Sequence, residues 1–503
     1  MTSKKQAIID LGSNTTRMII MEVLDNGGYR LADDARATVR LAEQMAPDNT
    51  IKPSALNRAT DAMRLFRSIT DYHRVTGITA CATAAIREAA NQQEILRTLD
   101  ERSGILFKVL TREEEAYFGY LGVANSTDFR DGIVIDIGGG SMEITGIRDR
   151  KVVESVSLPL GSLSLTERFI PSEKPSDSQL NALEDYVKHT LKSVPWLHSW
   201  EGSEVIGIGG TYRTIAKVHQ RLVNYPFDEL HNYVMSPDEV AFIYNNLKSS
   251  KPSDRHNVPG LTRDRADIII GGMAAIVIML KLLKTPRIRI STYGLREGIF
   301  FSTLLQPPVA ENVLAFSVDN KVKIYGLDST HSGQVANLAL SLFDAMQEVH
   351  RLGSDSRQIL WAAAWLHESG YLYNYHNRYN NTFYNIMNDT IFGLTQLETY
   401  KVGLIAAFYG AGGIKGRDGL VSMLDKDEAK ALRKMGVLLA LADAFDRRRS
   451  GRVLGLDCAI DKNTVKIRPA CKDDCWIERK SAESVRPHFE KAFDLTLAID
   501  TPE

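Results

Sequence analysis

Two stretches of the chain carry the same pattern of apolar runs on either side of a polar turn. Residues 7–20 run Ala7-Ile8-Ile9-Asp10-Leu11-Gly12-Ser13-Asn14-Thr15-Thr16-Arg17-Met18-Ile19-Ile20. Residues 133–145 run Ile133-Val134-Ile135-Asp136-Ile137-Gly138-Gly139-Gly140-Ser141-Met142-Glu143-Ile144-Thr145. Asp10 aligns with Asp136, Gly12 with Gly138 and Thr15 with Ser141, each at an offset of 126. An apolar run, then Asp-x-Gly-x-x-hydroxyl, then a second apolar run predicts a β-hairpin with a glycine-rich turn. Such a turn suits phosphate. Glycine lets the backbone approach an anion, successive N–H groups form a concavity, and the hydroxyl adds a donor. The aspartate at the strand end is placed to hold a cation or a water. One such turn alone reads as an ordinary tight turn. Two in register predict a duplicated architecture with paired phosphate clamps facing each other across a cleft.

The intervening pattern is α/β. Residues 53–70 predict a helix with Leu56, Ala59, Met63 and Phe66 on one face. Residues 77–83 predict a short strand, 84–99 a helix and 106–110 a strand, and Thr111 opens another helix. Residues 204–211 and 288–298 each predict a strand running through glycines into a helix, a natural anion-binding design. The character changes at about residue 306, where Pro307-Pro308 marks a linker. A long helical region follows, and residues 453–460, 464–468, 482–493 and 495–499 predict β-β-α-β. The expected domains are 1–125, 126–305, 306–450 and 451–503.

Composition narrows the function classes. With 61 Lys+Arg against 62 Asp+Glu the formal charge is −1, so bulk positive charge does not hold a polyanion; a local basic patch would be needed. Apolar residues at 44% and charged residues at 24% fit a folded globular chain. Four cysteines in 503 residues do not make a disulfide framework, and Cys471 and Cys475 lack zinc-type neighbours. The longest apolar stretch, 268–280, is shorter than the roughly 18 residues a membrane span needs. Asp10 interrupts the apolar run after the N-terminal lysines, which does not fit a signal peptide. The expectation is a cytoplasmic protein.

Taken with residues 82–91, Glu114-Glu115-Ala116, 158–161, Gly209-Gly210-Thr211, Arg265-Ala266-Asp267 and 294–298, the two hairpins resemble the exopolyphosphatase / guanosine pentaphosphate phosphohydrolase (Ppx/GppA) family of the actin-like superfamily. The motifs occur in family order over about the first 300 residues. The resemblance implies a fold of two duplicated actin-like (ribonuclease H-like) α/β domains around a cleft. An all-α HD-like domain and a small α+β C-terminal subdomain would follow. It implies a metal-dependent hydrolase that processively removes the terminal phosphoryl group of inorganic polyphosphate. The 5′-triphosphate of guanosine pentaphosphate is the alternative substrate. It implies Mg²⁺, with a monovalent cation such as K⁺ as a further candidate, no nucleic acid or membrane partner, and a homodimer. A kinase of the same superfamily and an alarmone-binding or filament-forming relative are the distant alternatives; no acceptor site for a kinase is visible in the sequence.

Individual residues follow from the chemistry and the resemblance together. Thr111 and Glu114 have the spacing of a capping box, which leaves Glu113 and Glu115 for other work. The family pattern assigns the catalytic carboxylate to Glu115 and a phosphate-facing arginine to Arg87. By the same pattern Asp136 and Glu143 hold Mg²⁺, and Asp10 either joins them or braces its own turn. Arg17 and Arg265 would make further phosphate or guanosine contacts; a helix-start ion network is the alternative for Arg265. Asn14, Thr15, Gly138, Gly139, Gly140, Ser141, Gly209, Gly210 and Thr211 would supply backbone and hydroxyl donors. In the helical region the HD-type candidates are His331, His367-Glu368 and Asp443. The pair is His-Glu rather than His-Asp, so a catalytically silent domain is expected. Arg447, Arg448 and Arg449, with Lys321, Lys323, Arg433 and Lys434, are candidates for guiding a long polyphosphate, or plain surface charge.

Overall fold

A computed structural model describes residues 3–41, 48–170, 174–408 and 424–500. The chain divides into two compact units, one ending at Val313 and the other running from Leu314 and including the short segment Asn26–Gly28.

The first unit contains two mixed sheets of related design. In one, β1 (Lys4–Leu11), β2 (Thr15–Val23) and β3 (Tyr29–Thr38) form an antiparallel meander, and β4 (Gly77–Ala82) and β5 (Phe107–Val109) continue it in parallel beyond β1. In the other, β6 (Gly132–Ile137), β7 (Met142–Arg148) and β8 (Lys151–Leu158) repeat the meander. There β9 (Val205–Ile208) and β11 (Ile288–Ile290) extend the sheet in parallel, and β10 (Tyr233–Met235) closes its edge antiparallel. Strands β3 and β8 have no strong counterpart in the sequence pattern. Strand β3 is mostly polar and β8 half polar, and both are largely exposed or part-exposed, as edge positions permit.

Each sheet buries its own core. Ile9, Leu11, Met18 and Ile20 pack under the helix Pro53–Tyr72 through Ala59, Met63 and Phe66. Ile133, Ile135, Met142 and Ile144 pack against a layer that includes the wholly apolar helix Ile269–Leu283. That helix is the 268–280 run, buried nearly all round, which explains its composition without a membrane. Among the described residues no helix is long and apolar enough to cross a bilayer. A third cluster, including Leu121, Val123, Val134, Ile206 and Ile208, seats the helix Arg112–Ala124 on the second sheet.

The helix expected over 84–99 is two helices, Ala84–Arg87 and Gln92–Ser103. Long-range and local side-chain bonds break it. Asn91 exchanges hydrogen bonds with the Ile51 backbone, and the Gln92 amide caps the carbonyls of Ile86 and Arg87. The break stops Arg87 at the end of the first short helix.

The second unit packs the helices Ser329–Ala345, Ser354–Leu366, Gln396–Phe408 and Lys426–Ala444 together, with Leu342, Phe343, Leu360 and Leu438 buried between them. Strands β12 (Val453–Asp461), β13 (Thr464–Cys471) and β14 (Thr496–Ile499) form a small sheet, and the helix Trp476–Phe493 packs on Lys426–Ala444. This last helix starts six residues before the expected 482 and runs through Pro487. Cys471 and Cys475 form a disulfide across the β13-to-helix turn, with Cα atoms 6.2 Å apart; the sequence had shown only that the cysteines form no framework.

Candidate active site

The two predicted hairpins line one pocket. Both turns are closed by the same backbone bond: Gly12 N–H donates to Thr15 O at 3.2 Å, and Gly138 N–H to Ser141 O at 2.9 Å. Asp10, Gly12, Asn14, Thr15 and Arg17 from one side meet Asp136, Gly138, Gly139, Gly140, Ser141 and Glu143 from the other.

Strand register sets the charge pattern. Asp10 lies directly opposite Arg17, and Asp136 directly opposite Glu143, so each pair projects from one face of its hairpin. Arg17 and Glu143 are themselves 126 residues apart and so occupy equivalent places in the repeat. The first hairpin therefore presents a carboxylate with a guanidinium, and the second presents two carboxylates.

The carboxylates are crowded and poorly hydrated. Glu143 is buried and accepts a 2.8 Å hydrogen bond from Ser157 Oγ. Asp136 is pushed up to about 7, chiefly by burial and then by the nearby Glu115 charge. Burial pushes Asp10 up to about 6, opposed by Arg296 and Arg17. Glu143 is raised by burial and by Asp136. Oδ1 of Asp10 is buried and makes no hydrogen bond, and neither amide atom of buried Asn14 makes one. Asp10 therefore does not use that oxygen to brace its turn. Acids raised chiefly by burial, beside an unpartnered aspartate oxygen, form an all-oxygen donor set of the kind that suits a hard divalent cation such as Mg²⁺.

Glu115 is delivered by its helix start. Thr111 Oγ accepts from the Glu114 N–H at 3.1 Å and Glu114 returns the bond to the Thr111 N–H at 3.0 Å, forming the expected capping box. Glu113 is exposed. One residue further round, Glu115 turns into the pocket, where Arg87 Nη1 donates to its Oε2 at 2.8 Å and to the Leu110 carbonyl at 3.0 Å. Arg87 is thus not spent on a surface pair; its nearest approach to Glu88 is 3.8 Å. Burial, then the Glu143 charge, raises the Glu115 carboxyl, and Arg87 works against both.

Cations face the acids. Arg17, Arg213, Arg265 and Arg296 all line the pocket. Arg17 is lowered to about 9, chiefly by burial and then by repulsion from Arg213 and Arg296. Arg213 and Arg265 are each lowered to about 10 by burial, with Arg296 the next cause at Arg213 and Arg17 the next at Arg265. A bound polyanion would relieve this repulsion. The ion network at 263–267 runs elsewhere: Asp264 pairs with Arg36, and Asp267 with Arg40 at 2.9 Å, leaving Arg265 in the pocket. Gly209 has φ +92° and precedes the helix Gly210–Leu222. At Gly210 the Arg265 guanidinium occupies the space of a Cβ. Arg213 and Arg296 were not singled out from the sequence. Arg213 lies two residues after Thr211 and Arg296 inside the 294–298 motif, so the glycine-turn helix starts carried the signal.

Of the residues expected in the cleft, all but Arg87 and Thr211 line this pocket. Arg87 reaches it through Glu115, and Thr211 is buried behind it against Gly272. In the second unit Arg448 pairs with Glu478, and Arg449 with Glu368, so both are engaged; Arg447 is exposed.

Residues 20–307 match the Ppx/GppA phosphatase family, and residues 314–482 match Ppx/GppA phosphatase, domain III. A Vibrio vulnificus protein named guanosine-5'-triphosphate,3'-diphosphate pyrophosphatase is 25% identical over 494 residues, 96% of this chain and 95% of the relative. A Pseudoalteromonas translucida protein of the same name is 26% identical over 405 residues, 80% of this chain and 79% of the relative. An exopolyphosphatase structure from Cytophaga hutchinsonii has a TM-score of 0.56 at 25% identity, covering 60% of this chain and 98% of that one. An Aquifex aeolicus PPX-GPPA enzyme structure has a TM-score of 0.51 at 26% identity, covering 60% and 100%. The duplicated α/β unit is the actin-like fold, and the helical unit is the family's domain III. With one family match spanning more than half of its length, the chain belongs to the Ppx/GppA phosphatase family.

Proposed function

We propose that this phosphatase is an exopolyphosphatase that removes terminal phosphoryl groups from inorganic polyphosphate with Mg²⁺. The observation that carries the reading is Glu115, held by Arg87 on the wall of a pocket that sets buried acids against four guanidiniums. Such a pocket matches a repeating anion with a cation at its reacting end. Its lining is polar apart from a few side chains such as Ile137, Ile208 and Tyr293, which favours phosphoryl groups over a nucleobase.

Asp136, Glu143 and Asp10 would hold the Mg²⁺. When bound, it would neutralise phosphate oxygens and favour displacement at phosphorus. The glycine turns and Asn14 bind and orient the terminal phosphoryl group through N–H donors. Arg17, Arg213, Arg265 and Arg296 neutralise the following phosphates. Glu115 accepts a proton from the attacking water as the new P–O bond forms in line with the breaking phosphoanhydride bond. The shortened polyphosphate leaves as an anion among the arginines, and orthophosphate is released. The raised proton affinity of Glu115 makes it a stronger base than an exposed glutamate.

The second reading is a guanosine pentaphosphate phosphohydrolase, favoured by the names of the full-length relatives. The chemistry is the same and the leaving group differs. Phosphate release from long-chain polyphosphate and from guanosine pentaphosphate, measured in parallel for the wild type and Glu115→Ala at fixed Mg²⁺ and salt, tests both. Faster turnover of polyphosphate, lost in the variant, supports the proposal. Turnover mainly of the nucleotide replaces the substrate. A fully active Glu115→Ala removes the mechanism.

A further inference from the structure

Strand β8 leaves the second sheet and crosses residues 159–161 into the helix Ser162–Phe169. Two serines bracket that turn, Ser157 and Ser162, and neither lines the active-site pocket. Both donate hydrogen bonds to residues that do.

Ser157 acts on the acids. Across three adjacent strands Asp136 lies opposite Glu143, and Glu143 opposite Ser157, so the three side chains form one row on one face. Ser157 Oγ donates to Glu143 Oε1 at 2.8 Å, and Glu143 is buried. A hydrogen bond from outside the ligand set is how proteins orient a carboxylate on a metal. The first sheet places Arg36 in the matching position, opposite Arg17. The hydroxyl donor therefore stands beside the glutamate of the second row, and the corresponding place in the first row is cationic.

Ser162 acts on the glycine turn. It is wholly buried, and its N–H and its Oγ–H both donate to the Gly138 carbonyl, each at 3.0 Å. The Leu163 and Ser164 N–H groups donate to the Gly139 carbonyl at 3.0 and 3.1 Å. Glycine at 161 permits this approach, because a Cβ there would collide with the Gly139 carbonyl oxygen. In a planar trans peptide the N–H points opposite to the C=O. With the Gly138 and Gly139 carbonyls drawn onto the helix start, the Gly139 and Gly140 N–H groups point the other way. Residues 162–164 do not line the pocket and the three glycines do, so both N–H groups face the pocket. Among the described residues neither has a backbone acceptor. The first hairpin is held in a similar manner just after β3, where the Val39 and Arg40 N–H groups donate to the Asn14 carbonyl at 3.0 and 2.9 Å.

We propose that Ser157 and Ser162 are positioning residues, one for each function of the cleft. Ser157 fixes the Glu143 carboxylate for a divalent cation. Ser162 fixes the peptide that aims the Gly139 N–H at a phosphoryl oxygen. The inference rests on the reading of the cleft as a Mg²⁺-dependent phosphoanhydride hydrolase, and it holds for either leaving group.

The test measures binding on the full chain rather than turnover. Mg²⁺ alone and, separately, tripolyphosphate in excess chelator are titrated by calorimetry. Ser157→Ala should weaken Mg²⁺ about 10–100-fold and change tripolyphosphate affinity by less than about twofold. Ser157→Thr, which keeps the hydroxyl, should restore Mg²⁺ binding. Ser162→Ala should weaken tripolyphosphate about three- to tenfold, the scale of one neutral hydrogen bond, and leave Mg²⁺ affinity within about twofold. Metal-free melting temperatures serve as the folding control. Either variant binding its own ligand as the wild type does, or both ligands weakening in step with the melting temperature, would overturn the proposal. A wild type that binds neither Mg²⁺ nor tripolyphosphate would overturn the reading of the cleft and the proposal with it.

Discussion

Arg17 and Glu143 are equivalent residues of opposite charge. Each is the cross-strand partner of its hairpin's aspartate, Asp10 or Asp136, and the two stand 126 positions apart in the repeat. The duplicated scaffold thus presents a cation for phosphate oxygens in one half and a carboxylate for a metal ion in the other. Exchanging one for a neutral group should affect different parameters. Arg17→Ala should raise KM by about 10–100-fold, the scale of one charge-assisted hydrogen bond, and weaken the salt dependence of binding. Glu143→Gln should instead raise the Mg²⁺ concentration needed for half-maximal rate. Initial rates over a grid of substrate, salt and Mg²⁺ would separate the two; a shared effect of both variants on KM alone would contradict the division.

Glu115→Gln keeps the shape and removes the base. The expected loss in kcat is about 10²–10⁴-fold, with substrate binding retained. Arg87→Gln takes away the cation that favours the ionised Glu115, so the acid limb of the pH–rate profile should move to higher pH while the variant stays folded. Steady-state kinetics from pH 5 to 9 would show it.

The raised carboxyls couple pH to stability. Asp10 and Asp136 bind their protons more tightly when folded, at about 6 and about 7, than the ordinary 3.8. More protons are then bound folded than unfolded between about pH 4 and pH 7, so this contribution is complete below pH 4 and is lost as pH rises through 7. Mg²⁺ binds the ionised form. Its stabilising effect in thermal melts should be small at pH 5 and large at pH 8, and Asp136→Asn should flatten that difference. An equal Mg²⁺ shift at both pH values would count against these acids as the metal set.

Two neighbouring glycines should fail in different ways. Gly209 has φ +92°, and a Cβ there would meet the Asp136 carboxylate at 2.6 Å and the Ile137 backbone carbonyl at 2.8 Å, so Gly209→Ala should cost about 1–3 kcal/mol of stability as well as disturb Asp136. At Gly210 the space is taken by the flexible end of Arg265. Gly210→Ala should fold, displace that guanidinium and raise KM much as Arg265→Ala does. Denaturant titration alongside kinetics distinguishes them.

The duplicated hairpins were readable because a repeat at fixed offset, with period-two apolar runs, is a local signal. So was the Thr111–Glu114 capping box, which is closed within four residues. The edge strands β3 and β8 were not, since part-exposed strands need little apolar alternation. Nor was the break at 88–91, because it depends on Asn91 meeting Ile51, forty positions away in sequence. The sequence identifies Glu115 only through family likeness. Its orientation follows from Arg87, and Arg87 is aimed by that helix break. In the helical unit His331, His367 and Asp443 sit on or beside three separate helices, and only packing brings Asp443 within 4 Å of both imidazoles. Residue types and their local period therefore specify elements and candidate chemistry, while long-range packing specifies which side chains share a site.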